Sequence, residues 1–185
     1  APDRGVLAAL EAAGIDLSQV RDLVHGSTVA TNAVLERKGG RVCAVVTRGM
    51  RDLFALQRHD RRAIYDLHYA KPEPIVPRDD VLEIDERLAP DGAVVTPLDP
   101  AIDAALAAFL GDGRFDAVAI CLLHSYADPA HERRVAEAVA RVAPGLPVTC
   151  SCDVSREFRE YERASTTALA AYVQPVIAGY LRRLS

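Results

Sequence analysis

The chain has 185 residues, half of them hydrophobic, which is enough apolar material for one sizeable core. A net charge of -4 and a sequence pI near 5.7 exclude the basic footprint of a nucleic-acid-binding surface. No run of about 18 apolar residues occurs, so no membrane-spanning helix is expected, and Ala1-Pro2-Asp3-Arg4 does not resemble a signal peptide.

Pro2 to Ala13 reads as a short amphipathic helix closed by Gly14. Asp22 to Gly40 reads as a strand, a polar turn and a helix. Leu23 and Val24 precede His25-Gly26-Ser27-Thr28, Val29, Ala33 and Val34 then recur at helical spacing, and Gly39 is the stop. Ser27 or Thr28 can cap the first turn, and Gly26 lets the backbone come close to a ligand. The spacing leaves two readings open. The turn is an ordinary N-cap, or it is a helix start that binds phosphate or carboxylate, with His25 as a titratable group and Asn32 one turn beyond Thr28.

Arg41 to Thr47 is a β-branched run of the kind covered on both faces of a sheet, and it ends at the Arg48-Gly49 turn. Arg48 is either a solvated side chain or a contact for an anionic ligand. A short helix is expected from Met50 to Leu56. Gln57 to Pro77 has no period and gathers Arg58 to Arg62, Tyr65, His68, Tyr69 and three prolines, so it is read as a substrate- or partner-contacting loop or as solvated surface. Val81 to Leu88 alternates like a strand with one wet face, which leaves its acidic residues in solvent, and Pro90-Asp91-Gly92 turns it back into Ala93 to Thr96 as a hairpin.

Asp99-Pro100 opens a helix whose buried stripe is Ile102, Leu106, Phe109 and Leu110. Phe115 to Leu123 is the most apolar run and is expected to be a central strand. It ends at His124-Ser125-Tyr126, where open α/β sheets place ligands; the alternative for His124 is a core histidine bonded to a backbone carbonyl. Asp128-Pro129 starts a helix with Val135, Ala138, Val139 and Val142 inward and with His131 and Glu132 toward water. Leu146 to Cys152 reads as a strand. Helical pattern resumes at Ser155, and the last helix, Thr166 to Leu184, contains Pro175, which is expected to kink or split it. This alternation implies an α/β fold, a mixed sheet flanked by helices, with one inserted hairpin.

Cys43, Cys121, Cys150 and Cys152 form no CxxC pair and no metal-finger spacing, so they are predicted to be buried reduced thiols of a cytoplasmic protein, with no metal site. No G-x-S-x-G elbow is present, which argues against a Ser-His hydrolase.

Four stretches carry a family resemblance: HGSTVATNAVLERKGGRVCAVVTRGMRDL (His25 to Leu53), IYDLHYAKPEPIVPR (Ile64 to Arg78), AICLLHSY (Ala119 to Tyr126) and REYERASTT (Arg159 to Thr167). In this order they resemble the hydantoinase A and 5-oxoprolinase family, which includes the acetone carboxylase β-type subunits. Ser27 stands where the family usually has Thr, and Met50 where an aromatic residue is common. The resemblance implies an actin-like, ribonuclease H-like ATPase relative. Such proteins open with a phosphate loop of the type DVGGTFTD, and nothing in Ala1 to Ala13 supplies one. Residues 1–185 are therefore expected to be a single α/β domain, a fragment of a larger N-terminal domain without the phosphate-loop strands.

The resemblance also implies a reaction. An amide oxygen is a poor leaving group, and phosphorylating it lets water open the ring, given donors for the carbonyl and exclusion of bulk water. The implied cofactors are ATP and Mg²⁺, both needing the upstream segment. The implied partners are a small cyclic amide and a hydantoinase B-type subunit. The resemblance marks His25, Thr28, His124 and Glu162 as catalytic, and Gly26, Ser27, Asn32, Arg48, Arg163 and Ser165 as substrate or nucleotide contacts. The alternatives are an acetone-carboxylase-like subunit, or a non-catalytic module that holds a partner.

Overall fold

A β-branched run with no polar break can only sit where both faces of a sheet are covered, and that places β1 (Val42–Thr47) at the centre of the fold, buried along its whole length. The computed structural model describes residues 2–183 except 15, 23 and 61. Before β1 come α1 (Pro2–Ala12) and α2 (Val29–Leu35); after it come α3 (Leu53–Leu56), β2 (Val81–Ile84), β3 (Arg87–Leu88), β4 (Val94–Thr96) and α4 (Ile102–Leu110). The chain continues through β5 (Ala117–Cys121), α5 (Ala130–Val142), β6 (Val148–Cys150), α6 (Ser151–Val154) and α7 (Glu160–Arg182). No helix among the described residues is long and apolar enough to cross a membrane.

The main sheet has the order β2-β1-β5-β6 and is parallel at every pairing, with Ala44 beside Val81 on one side and beside Ala119 on the other. It is not the mixed sheet that the sequence pattern implied. Each return to the sheet is long enough to cross over to a parallel neighbour, and the one antiparallel pair among the described residues, β3 with β4, stands apart as a two-stranded ribbon closed at Gly92.

Alternation along the central strands assigns the two faces. Cys43, Val45, Val118, Ile120 and Leu122 pack toward Leu106, Val135 and Val139 of α4 and α5. Val42, Ala44, Val46, Ala117, Ala119 and Cys121 pack toward Ala164, Ala168 and Ala171 of α7. Small residues on both partners let α7 lie close to β5. It runs opposite to the strands: its first turn is bonded to Leu122, just past β5, while Tyr172 O accepts a hydrogen bond from Gly40 N, just before β1 (2.9 Å).

Several sequence expectations are corrected here. Among the described residues no strand precedes His25: Val24 is 94% exposed and lies outside any ladder, and Leu23 lies outside the described residues. The following helix closes at Leu35, not Gly39, because Arg37 takes a left-handed φ of 54° and Lys38 N donates to Ala33 O. Gly39 serves packing instead, since a Cβ there would lie 2.2 Å from Cε1 of Tyr172. Val81 to Leu88 is divided between two sheets, and Glu86, between them, turns inward. Leu146 to Cys152 is not one strand: Cys150 ends β6 and Cys152 belongs to α6. Pro175 lies inside α7, a helix of 23 residues, so of the two alternatives the split does not occur.

All four cysteines are free and buried. Burial pushes the Cys43 and Cys152 thiols up to about 12 and those of Cys121 and Cys150 up to about 11. A thiol raised this far stays protonated at neutral pH, and the thiolate is the reactive form. Native protein at pH 7.5 is therefore expected to resist iodoacetamide at all four positions and to label fully once unfolded in urea. Fast labelling of a native thiol, read by mass spectrometry, would contradict this burial.

Candidate active site

The carboxyl edge of the parallel sheet carries most of the buried polar groups, and they converge on the chain just past β5. Leu122 N donates to Glu132 Oε1 (3.0 Å), and Leu122 O accepts from Arg163 Nη2 (2.6 Å). Both side chains are buried, Glu132 at 0% and Arg163 at 1% exposure. Glu132 also accepts from Ser151 Oγ (2.6 Å) and from Cys152 N (3.0 Å), which ties the first turn of α6 to that of α5. Leu123 N donates to Thr47 Oγ1 (2.8 Å); that hydroxyl in turn donates to Glu86, whose other oxygen meets His131 Nδ1 at 2.8 Å.

This inward placement overturns the expectation that His131, Glu132 and Glu86 are solvated. A signal was present in the spacing. His131 lies four and seven residues before Val135 and Ala138, and Glu132 lies three and seven before Val135 and Val139, so both share the buried face of α5.

Outside this buried layer a cleft of about 420 Å³ opens between the segment after β1 and the start of α7, lined by residues that include Gly49, Leu53, Arg58, His59, Arg159 and Glu162. A second lobe of about 500 Å³ adjoins it and shares Arg58, Arg159 and Glu162, adding Glu157 and Phe158. Arg58 and Glu162 form an ion pair across the cleft, 104 residues apart in sequence. The Glu162 carboxyl is held below its usual range, first by the backbone hydrogen bond at the start of α7 and then by Arg58. A depressed carboxylate keeps its pairing above the ordinary carboxylate range and loses it only in acid, so the ion pair persists through neutral pH.

The structure brings some of the sequence-predicted residues together and separates others. Glu162 lines the cleft. Ser165 lies one turn on, in a smaller groove of about 180 Å³ with Phe54, Pro72 and Tyr161. His124 is half-buried at the end of β5 with a left-handed φ of 60°; its Nδ1 meets Leu88 O at 2.7 Å, which puts the proton on Nδ1 and leaves Nε2 as an acceptor. Arg163 is a buried clamp, with its Nε unpartnered and its guanidinium carbon 5.4 Å from the Tyr126 ring centroid. Arg48 forms an exposed ion pair with Asp85.

The His25 group sits elsewhere. His25 Nε2 bonds Tyr180 Oη near the far end of α7, about 27 Å from Glu162 along the helix axis at ~1.5 Å per residue. Gly26, Ser27, Thr28 and Asn32 beside it are exposed; Thr28 makes no side-chain cap, and a Cβ on Gly26 would meet nothing within 4 Å. That open turn on a helix of 7 residues does not by itself make a polyphosphate cradle. Among the described residues no group of three His, Cys, Asp or Glu side chains could hold a metal ion.

Removing the Glu132 carboxylate would leave two buried backbone donors, Leu122 N and Cys152 N, without an acceptor and would take one from Ser151 Oγ. Glu132→Ala is expected to cost about 3–5 kcal/mol, read as a lowered urea midpoint at constant m-value. A cost below about 1 kcal/mol would show that the donors find other partners.

Comparison with known proteins places this architecture. Residues 1–143 match the model of the hydantoinase/oxoprolinase N-terminal region. The caprolactamase subunit alpha of Pseudomonas jessenii is 33% identical over 164 residues, covering 87% of this chain and 23% of that protein. The crystal structure of the ATP-dependent caprolactamase from that organism superposes with a TM-score of 0.83 at 33% identity over 98% of this chain and 27% of its own. 5-Oxoprolinase 1 of Arabidopsis thaliana is 33% identical over 186 residues, 90% of this chain and 14% of that protein. A nucleotide-free acetone carboxylase superposes with a TM-score of 0.76 at 26% identity, covering 99% of this chain and 30% of its own. The chain thus spans less than a third of the length of the proteins it matches. On the family-model match and these relatives together, the chain belongs to the hydantoinase/oxoprolinase family.

Proposed function

We propose that this chain is part of a larger ATP-dependent cyclic-amide hydrolase of the hydantoinase or 5-oxoprolinase type, one that activates the ring carbonyl by phosphorylation. What supports the reading is the cleft at the carboxyl edge of a parallel sheet, where open α/β folds place ligands, in a chain that overlays an ATP-dependent caprolactamase over 98% of its length. The actin-like kinship, Mg²⁺ and a partner subunit belong to the same proposal, as does a reducing cytoplasmic setting for the four free thiols. The names of the relatives, a caprolactamase subunit alpha and an acetone carboxylase beta subunit, support the partner.

In this reading Glu162 and His59 face the ring amide, and Arg58 holds Glu162 ionised and oriented. His124, with Nε2 as acceptor, is a second group able to take a proton at the same sheet edge. Arg48 and Ser165 border the site. The turn from His25 to Asn32 faces the remainder of a full-length enzyme and does not share the ring with Glu162. A second reading, ketone carboxylation, draws support from the acetone carboxylase overlay.

The test is to follow ADP release and ring opening by the full-length enzyme with its partner, offered hydantoin, N-methylhydantoin, 5-oxoproline and caprolactam, and in parallel acetone with bicarbonate. Ring opening coupled to ATP is the expected result, with Glu162→Gln lowering turnover at least about tenfold, roughly the effect of one lost transition-state interaction, and shifting Tm by no more than a few degrees. Carboxylation of the ketone with no lactam opened would replace this reading with the second.

A further inference from the structure

The stretch from Arg159 to Arg163 contains two arginines, and the fold uses them differently. Arg163 is buried; Nη1 donates to Glu157 O (2.9 Å) and Nη2 to Leu122 O (2.6 Å), so its guanidinium has no reach into solvent. Arg159 is exposed, has extended backbone at the start of α7, and lines both lobes of the cleft. The other cleft charges are largely committed: Arg58 is paired with Glu162, and Asp52 with Arg78 outside the cleft. Arg159 makes no direct ion pair among the described residues, although its charge helps to hold the nearby Glu162 carboxyl down.

Its guanidinium carbon stands 5.7 Å from the centroid of the Phe158 ring, and that ring is itself 70% exposed at the mouth of the second lobe. Stacking on an aromatic face restricts an arginine's rotamers before any ligand arrives, so less freedom is lost when its planar fork engages a carboxylate or phosphoryl group in two parallel hydrogen bonds. A lobe of about 500 Å³ lies within the range of small-molecule sites.

We infer that Arg159, braced by Phe158, is the residue through which this cleft recognises an oxyanion, either the carboxylate of a ring substrate or a phosphoryl group. The inference rests on reading the cleft as a ligand site, but it does not require that the ligand be hydrolysed. It also reassigns the ligand-facing cation of the family stretch from Arg163 to Arg159.

Isothermal titration of the full-length protein with pyrophosphate, with 5-oxoproline, and with 2-pyrrolidinone, the same ring without its carboxylate, tests this. Arg159→Gln is expected to weaken at least one anion about tenfold or more, the scale of a charge-assisted pair, and to leave 2-pyrrolidinone unchanged. A loss confined to 5-oxoproline assigns the substrate carboxylate, a loss confined to pyrophosphate assigns a phosphoryl group, and a loss of both fits one shared position. Arg163→Lys is expected to lower Tm while leaving these affinities within about twofold per folded molecule. Equal anion affinities in wild type and Arg159→Gln overturn the inference. So does wild-type protein that binds neither anion, or a loss that extends to 2-pyrrolidinone. An Arg159-dependent anion site in a protein that opens no ring would instead sink the hydrolase reading and leave this one standing.

Discussion

The backbone of one residue, Leu122, is gripped by a buried carboxylate on its N–H and a buried guanidinium on its carbonyl. Glu132 lies 10 residues away in sequence and Arg163 lies 41 away, so a single residue joins the end of β5 to the first turns of α5 and α7. Burying a lone charge is costly, and here each charge is offset by hydrogen bonds, Glu132 to Leu122 N, Ser151 Oγ and Cys152 N, and Arg163 to Leu122 O and Glu157 O. The arrangement is sensitive to loss of either member, because the remaining one would be left charged in an apolar layer. The hydroxyls of Thr47 and Ser151 extend it to the ends of β1 and β6, so the carboxyl edge of the sheet is fixed by side chains as well as by its ladder.

The cleft depends on this clamp. Arg163 pins the first turn of α7, and Glu162, the residue before it, is rotated by about 100° on the helix and points outward to meet Arg58. Arg159 precedes the helical path and is free to project elsewhere. The opposite end of α7 is set by close packing, with Tyr172 against Gly39 and Pro175 against Gly40, where a Cβ would lie 3.0 Å from the proline ring. The helix thus anchored keeps two of the family stretches, the His25 turn beside Tyr180 and the Arg159 to Thr167 segment, at opposite ends of α7.

Much of this fold was legible in the chain. The β-branched run of β1 and the apolar run of β5 announced central strands, because only burial on both faces tolerates such sequences. The stripe of Ile102, Leu106 and Leu110 announced α4, and the Asp91-Gly92 turn announced the hairpin. The family was legible too, since its motifs are local in sequence. The His124 reading was half decided: the alternative of a histidine bonded to a backbone carbonyl is what the Leu88 contact provides, at the sheet edge that made it a candidate.

What the sequence determined by itself was therefore the set of elements, their apolar faces and the family, all of which follow from residue periodicity over distances of a few turns. Tertiary structure alone decided that the sheet is parallel throughout, that Glu86 turns inward, which partners His131 and Glu132 meet, and that Arg163 is consumed in holding Leu122 while Arg159 is left open. The reason is that a charged residue on a helix face carries no local mark of which partner it will meet. Its partner here lies 10 or 41 residues away, and only the packing of α5 and α7 on the two faces of β5 brings the charges to the backbone of one residue.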